Sequence, residues 1–164
     1  MADLTSYERL LRKYLEETKA KLVLEYGPGY STRIIASYDF VESLVSIEHD
    51  LAYYTKALND TDGIKKVSVI HFPKKEDYIT FPLKLGLKYD LIFVDGLCDW
   101  RVDCMLTAGR FLSANGVLIL HDSEREKYAK GRLPYELIEE SQGTAVFKLK
   151  EEKREEFPAD YDLD

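Results

Sequence analysis

Short apolar runs alternate with amphipathic segments along most of this chain. The runs at residues 21–26 (KLVLEY), 42–48 (ESLVSIE), 65–72 (KKVSVIHF), 89–94 (YDLIFV) and 117–120 (VLIL) have the length and branched or aromatic content of strands. Tyr7, Leu10, Leu11, Tyr14 and Leu15 fall at helical spacing, and Thr5 with Glu8 makes a capping box, so residues 5–18 read as an opening helix. Helices are also expected over 31–38, over 51–58 with Asp50 as its cap, and over 99–112. Residues 73–88, interrupted by Pro73 and Pro82, read as a loop with a short helix at its end. Asn115-Gly116 reads as a turn, and Ser123 with Glu126 as a second capping box. Residues 135–140 and 144–149 form a hairpin around Gln142-Gly143.

Five strand-then-helix steps closed by a hairpin predict an α/β, Rossmann-like fold. Its sheet has seven mostly parallel strands, helices on both faces and a C-terminal antiparallel hairpin. Residues 1–149 are expected to form one domain, because 164 residues with 45% hydrophobic content supply one core. The charge-dense residues 150–164 are expected to be a solvated helical extension or a frayed tail.

Charge narrows the partners. A net charge of −7 opposes a nucleic-acid backbone and suits a small-molecule acceptor. No run approaches the roughly 18 apolar residues of a membrane span, and the first residues do not resemble a secretory signal. A cytoplasmic protein without a membrane partner is expected. Cys98 and Cys104 fit free thiols in a reducing compartment. An open acceptor face leaves room for a homodimer to cover it.

The chemistry concentrates after the first strand. Glu25-Tyr26-Gly27-Pro28-Gly29 leads into a helix near Ser31, and the two glycines permit a sharp turn and close approach of a ligand. A nicotinamide site wants a third glycine where Thr32 stands, and Glu25 would oppose a pyrophosphate. Glu48 ends the second strand, where a carboxylate can accept from two ribose hydroxyls. As a bare structural feature, the same segment is a tight strand-to-helix turn.

In order and at the expected strand ends, LEYGPGYST, SIEHD, KYDLIFVDG and NGVLILHDSE resemble the class I S-adenosylmethionine-dependent methyltransferases, over about residues 20–149. The resemblance implies S-adenosylmethionine as cofactor. It implies that Gly27 and Gly29 pass under the methionine part, Glu25 and Thr32 orient its amino and carboxylate ends, and Glu48 holds the ribose. Tyr26, Pro28 and His49 adjoin these positions, and Asp77 or Tyr78 is expected to face the adenine.

Asp95 and Asp122 end the fourth and fifth strands, and two readings compete for them. In one they hold a divalent cation that lowers the pKa of an acceptor hydroxyl, as in the metal-dependent catechol and caffeoyl-type O-methyltransferases. Those enzymes place Asn after the second Asp, where this chain has Ser123. In the other, Asp95 orients the methionine end or the acceptor and Asp122 starts a helix. His121 is a candidate general base or a packed histidine, since strict alternation points it away from Asp122 unless the strand has ended. Trp100 and Arg101 either rim the acceptor pocket or pack and snorkel. The segment Asp95-Gly96-Leu97-Cys98 differs from the Asp/Asn-Pro-Pro-aromatic tetrapeptide of many N-methyltransferases, which favours an oxygen acceptor. The expected function is therefore methyl transfer to a small molecule, and the alternative is a non-catalytic binding or assembly module on the same fold.

Overall fold

The computed structural model describes residues 6–155, and within them the chain alternates helix and strand nearly as its pattern predicts. Helix α1 (Glu8–Thr18) is followed by β1 (Leu22–Tyr26), α2 (Tyr30–Ala36), β2 (Ser43–Glu48), α3 (Leu51–Asp60) and β3 (Val67–His71). Next come α4 (Lys75–Lys84), β4 (Tyr89–Val94), α5 (Arg101–Ala108), β5 (Leu112–His121) and the short α6 (Ala129–Arg132). The hairpin of β6 (Tyr135–Ser141) and β7 (Thr144–Leu149) leads to α7 (Glu151–Arg154).

The strands form one seven-stranded sheet in the order β3-β2-β1-β4-β5-β7-β6. The first five are parallel, and β7 runs antiparallel to both its neighbours. Winding reverses between β1 and β4, so a crevice opens beyond their carboxyl ends. Strand alternation divides the core in two. Val23, Leu44, Leu91, Phe93, Val117, Ile119 and Val146 pack with Leu10, Leu11 and Leu15 of α1 and with Ile34 and Ile35 of α2. Leu24, Tyr26, Ile47, Ile92, Val94, Leu118 and Leu120 face the opposite way, toward Tyr78 and Ile79 of α4 and Cys104 and Met105 of α5. Among the described residues no helix is long and apolar enough to cross a membrane.

Four local expectations need correction, and one lies partly outside the described residues. Residues 73–88 hold the ten-residue helix α4. Its anchor is the buried trio Tyr78, Ile79 and Pro82, which share one face, while Glu76 and Asp77 complement the dipole in the first turn. Asn115-Gly116 makes a bulge inside β5 rather than a turn before it: Tyr89 pairs with Leu112 and Leu91 with Val117, and the intervening residues of β5 bow out. The helix expected over 99–112 starts as a 3-10 turn at Cys98–Trp100 and ends earlier, so Leu112 belongs to β5. Ser123 does not cap, because its hydroxyl donates to Glu140 at 2.7 Å, and Glu126 begins a 3-10 turn. At the amino end Thr5 is outside the described residues, α1 has no side-chain cap, and Glu8 accepts from Arg12 at 2.9 Å.

The Asp50 cap is formed: Oδ1 accepts from the backbone amides of Ala52 at 2.8 Å and Tyr53 at 3.0 Å. Asp50→Ala is expected to lower global stability by about 1 kcal/mol in urea unfolding, with an unchanged m-value.

Candidate active site

The crevice is a cleft of about 400 Å³. It is built from Tyr7, the turn Gly27–Ser31, Glu48 and His49, Tyr53, the segment Asp95–Cys98 and Arg101. Gly27 adopts φ +87°, and a Cβ there would lie 2.6 Å from the Asp95 carbonyl oxygen, so the two strand-end loops touch only because the residue is glycine. Gly29 is different. Its φ of −177° is ordinary extended backbone, and a Cβ would meet no atom within 4 Å. The space over Gly29 is open to a ligand, and this is the fit expected of a turn passing beneath a cofactor.

Glu25 is placed beneath that turn rather than in the cleft. It is 0% exposed and accepts from the hydroxyls of Ser31, Thr32 (2.7 Å) and Ser46 (2.7 Å). Thr32 also accepts the Gly29 amide at 2.9 Å, and is itself buried. Glu25 and Thr32 therefore shape the turn from below: the Glu25 carboxylate is enclosed beneath it, and Thr32 borders a neighbouring pocket with Pro28 and Gly29. Burial pushes the Glu25 carboxyl up to about 7, against the opposing pull of its three hydroxyl donors. The partners Ser31 and Ser46 were not singled out in the sequence. Ser46 carries a readable signal, a hydroxyl among the apolar residues of β2 and in register with Glu25.

Tyr26 also departs from expectation. Alternation turns its ring to the other face of the sheet, where it is fully buried and its hydroxyl donates to the Ile79 carbonyl at 3.3 Å. Glu48 does reach the cleft, with Oε1 accepting the amides of His49 (2.7 Å) and Asp50 (2.8 Å), bonds that do not use Oε2. His49 lines the same wall, its ring edge-on to Trp100 at 5.3 Å. Asp77 is not a cleft residue: it sits in the first turn of α4, 3.9 Å from Lys84. Its neighbour Tyr78 lies under the floor, and a Cβ on Gly96 would fall 2.0 Å from the Tyr78 hydroxyl.

Strand register brings the remaining residues together. Phe93 pairs with Ile119 and Val94 with Leu120, so Asp95 and His121 leave adjacent strands side by side on the α1 face. Asp95 Oδ1 is 2.7 Å from His121 Nδ1. His121 Nε2 is 2.9 Å from the Ser6 hydroxyl, and the Tyr7 ring stands edge-on to the imidazole at 5.0 Å. With an ionised Asp95 as acceptor, the proton resides on Nδ1 and Nε2 is left as a base. Burial by itself would lower the His121 pKa, but the Asp95 hydrogen bond and the charges of Asp95 and Asp122 outweigh it, and the imidazole pKa is raised.

Asp122 follows the last strand residue and adopts φ +54°, so alternation no longer applies and its carboxylate swings back toward Arg101. Arg101 donates to the Gly96 carbonyl (2.9 Å), the His121 carbonyl (2.8 Å), Asp95 (3.2 Å) and Asp122 (3.3 Å). Its guanidinium lies over the Tyr128 ring at 5.7 Å. Trp100 packs against His49 and Tyr78 and is not part of the cleft wall. Cys104 is buried, with its thiol pKa pushed up by burial, and Cys98 borders the cleft as a free thiol.

The sheet order and the helices on both of its faces give this chain the Rossmann-like fold of solved methyltransferase structures. The chain superposes on a methyltransferase-like protein from Silicibacter pomeroyi with a TM-score of 0.70 and 22% identity, over 87% of this chain and 84% of that one. It matches the N-methyltransferase NodS from Bradyrhizobium japonicum in complex with S-adenosyl-L-homocysteine at 0.66 and 18%, over 91% and 90%. It also matches the O-methyltransferase TomG from Streptomyces achromogenes in complex with SAM at 0.64 and 17%, over 90% and 81%. No protein-family model and no curated protein matches the sequence. Identities this low carry the fold, and chemistry has to be argued from the site.

Proposed function

We propose that this chain is an S-adenosylmethionine-dependent methyltransferase that methylates a hydroxyl group of a small molecule. The observation that carries this reading is the pair of contacts on His121: a carboxylate on Nδ1 at 2.7 Å and a hydroxyl on Nε2 at 2.9 Å. That is the arrangement a general base needs toward an oxygen acceptor. The solved structures of this fold that carry S-adenosyl-L-homocysteine or SAM support the choice of cofactor.

When bound, the cofactor supplies a methyl group on a positively charged sulfur. The protein's task is to align an acceptor with it, exclude water and take a proton. In this reading the open backbone at Gly29 lies under the cofactor and Glu48 accepts from its ribose hydroxyls. His121 Nε2 receives the acceptor's proton, in the place the Ser6 hydroxyl now holds, and Asp95 stabilises the resulting imidazolium. Arg101 keeps Asp95 in position. A net charge of −7 favours a small acceptor over a nucleic acid. Residues 1–149 act as the working domain, with 150–164 as an appended segment.

Calorimetric titration with S-adenosylmethionine and S-adenosylhomocysteine tests the cofactor. Micromolar binding, about −8 kcal/mol, is expected, and absence of binding by both would leave a non-catalytic module on this fold. His121→Gln is expected to lower kcat by about 10²- to 10⁴-fold with little change in cofactor affinity. The wild-type rate should rise with pH through an apparent pKa above 6.5, as His121 loses its proton, and a rate profile indifferent to His121 would refute the base assignment.

A further inference from the structure

We infer that the Arg101 guanidinium is the built-in cation of this site, standing between Asp95 and Asp122 in place of a divalent metal. The two carboxylates at the ends of adjacent strands are the donors a metal would need. Both are already spoken for: Arg101 reaches Asp95 at 3.2 Å and Asp122 at 3.3 Å, and Arg125 adds a second contact to Asp122 at 3.0 Å. A planar fork spans two separated carboxylates at such distances, whereas a magnesium ion draws about six oxygens to about 2.1 Å.

The guanidinium is not a passing visitor. Its side chain is 8% exposed, the backbone carbonyls of Gly96 beyond β4 and of His121 at the end of β5 accept its other N–H groups, and Tyr128 backs its face. A metal touching both carboxylates would have to expel it and leave those carbonyls without donors. The Ser123 hydroxyl, the neutral side-chain oxygen next to Asp122, is committed to Glu140 at 2.7 Å. Among the described residues no group of three or more His, Cys, Asp or Glu is arranged as a metal site.

The catalytic consequence rests on the methyl-transfer reading. A metal activates an acceptor through chelating oxygens, while His121 engages one, so a single hydroxyl suffices.

The test uses the full chain and manganese alone, followed by the free-ion paramagnetic resonance signal. Wild-type protein is expected to remove no more free Mn²⁺ than Asp95→Asn does, so that any residual binding lies elsewhere on the acidic surface. A stoichiometric site in the wild type that Asp95→Asn abolishes would overturn the inference. As a second measurement, Mn²⁺ should raise the Tm of Arg101→Met, in which no guanidinium bridges the two carboxylates, and leave the wild-type Tm unchanged. A wild-type Tm that rises and loses the rise in Asp95→Asn also overturns it. Cofactor titration without metal is a separate readout: a protein that binds S-adenosylmethionine and also holds Mn²⁺ at Asp95 refutes this inference alone, and one that binds neither nucleoside refutes the methyl-transfer reading alone.

Discussion

Gly29→Val is expected to weaken S-adenosylmethionine binding at least about 100-fold, a loss of about 2.7 kcal/mol, while thermal unfolding stays within a few degrees of wild type. The separation of effects follows from the backbone. Gly29 does not have a positive φ, and a Cβ added there meets no atom within 4 Å, so the methyl groups of a valine point into open space. They enter the volume a ligand over the turn must occupy. Gly27 would be a poor choice for the same experiment, because its positive φ and its 2.6 Å approach to the Asp95 backbone make any side chain a folding defect. Unchanged affinity in Gly29→Val, measured by calorimetry, would place the cofactor elsewhere.

Stability is expected to fall as pH rises from about 4.5 to about 7, and Glu25 to be responsible for about 3 kcal/mol of the fall. The folded pKa of Glu25 lies above its unfolded value, so in that interval the folded state holds a proton the unfolded state has released. Each pH unit then costs about 1.4 kcal/mol, and the loss levels off above pH 7, where both states are ionised. His121, with its own raised pKa, gives a slope of the same sign that begins near pH 6.5 and ends above its folded value. Urea midpoints at half-unit pH intervals for wild type and Glu25→Gln separate the two. The variant should lose the lower part of the slope, and parallel curves would mean that Glu25 is ionised in the fold throughout.

Where the pattern is two- or four-residue periodic, the sequence was a good guide: β4 and β7 have the bounds their apolar runs predict, and the parallel strands and the closing antiparallel hairpin join one seven-stranded sheet as expected. It was a poor guide where one residue type serves two ends. Pro82 reads as a breaker, yet it sits in the last turn of α4 with its ring buried. Asn115-Gly116 reads as a turn, yet the pair is absorbed by a bulge. In the site, Asp95 and His121 share a face because each continues the phase of Phe93 and Ile119, which alternation makes legible. The burial of Glu25 was not legible, since its donors come from α2 and β2 and only the packing of α2 over β1 collects them. Nor was the link between Arg101 and Asp122, which depends on the left-handed residue ending β5.

The hairpin that completes the sheet has a bearing on synthesis. β5 lies against β4 on one side, but its other edge is paired by β7, which leaves the ribosome more than twenty residues later. During that interval Leu118, Ile119 and Leu120 present a bare, wholly apolar strand edge, the kind of surface that recruits another nascent chain. A translation stop or a proteolytic cut ahead of residue 144 would make that exposure permanent, so truncated products of this protein are expected in inclusion bodies and full-length chains in the supernatant.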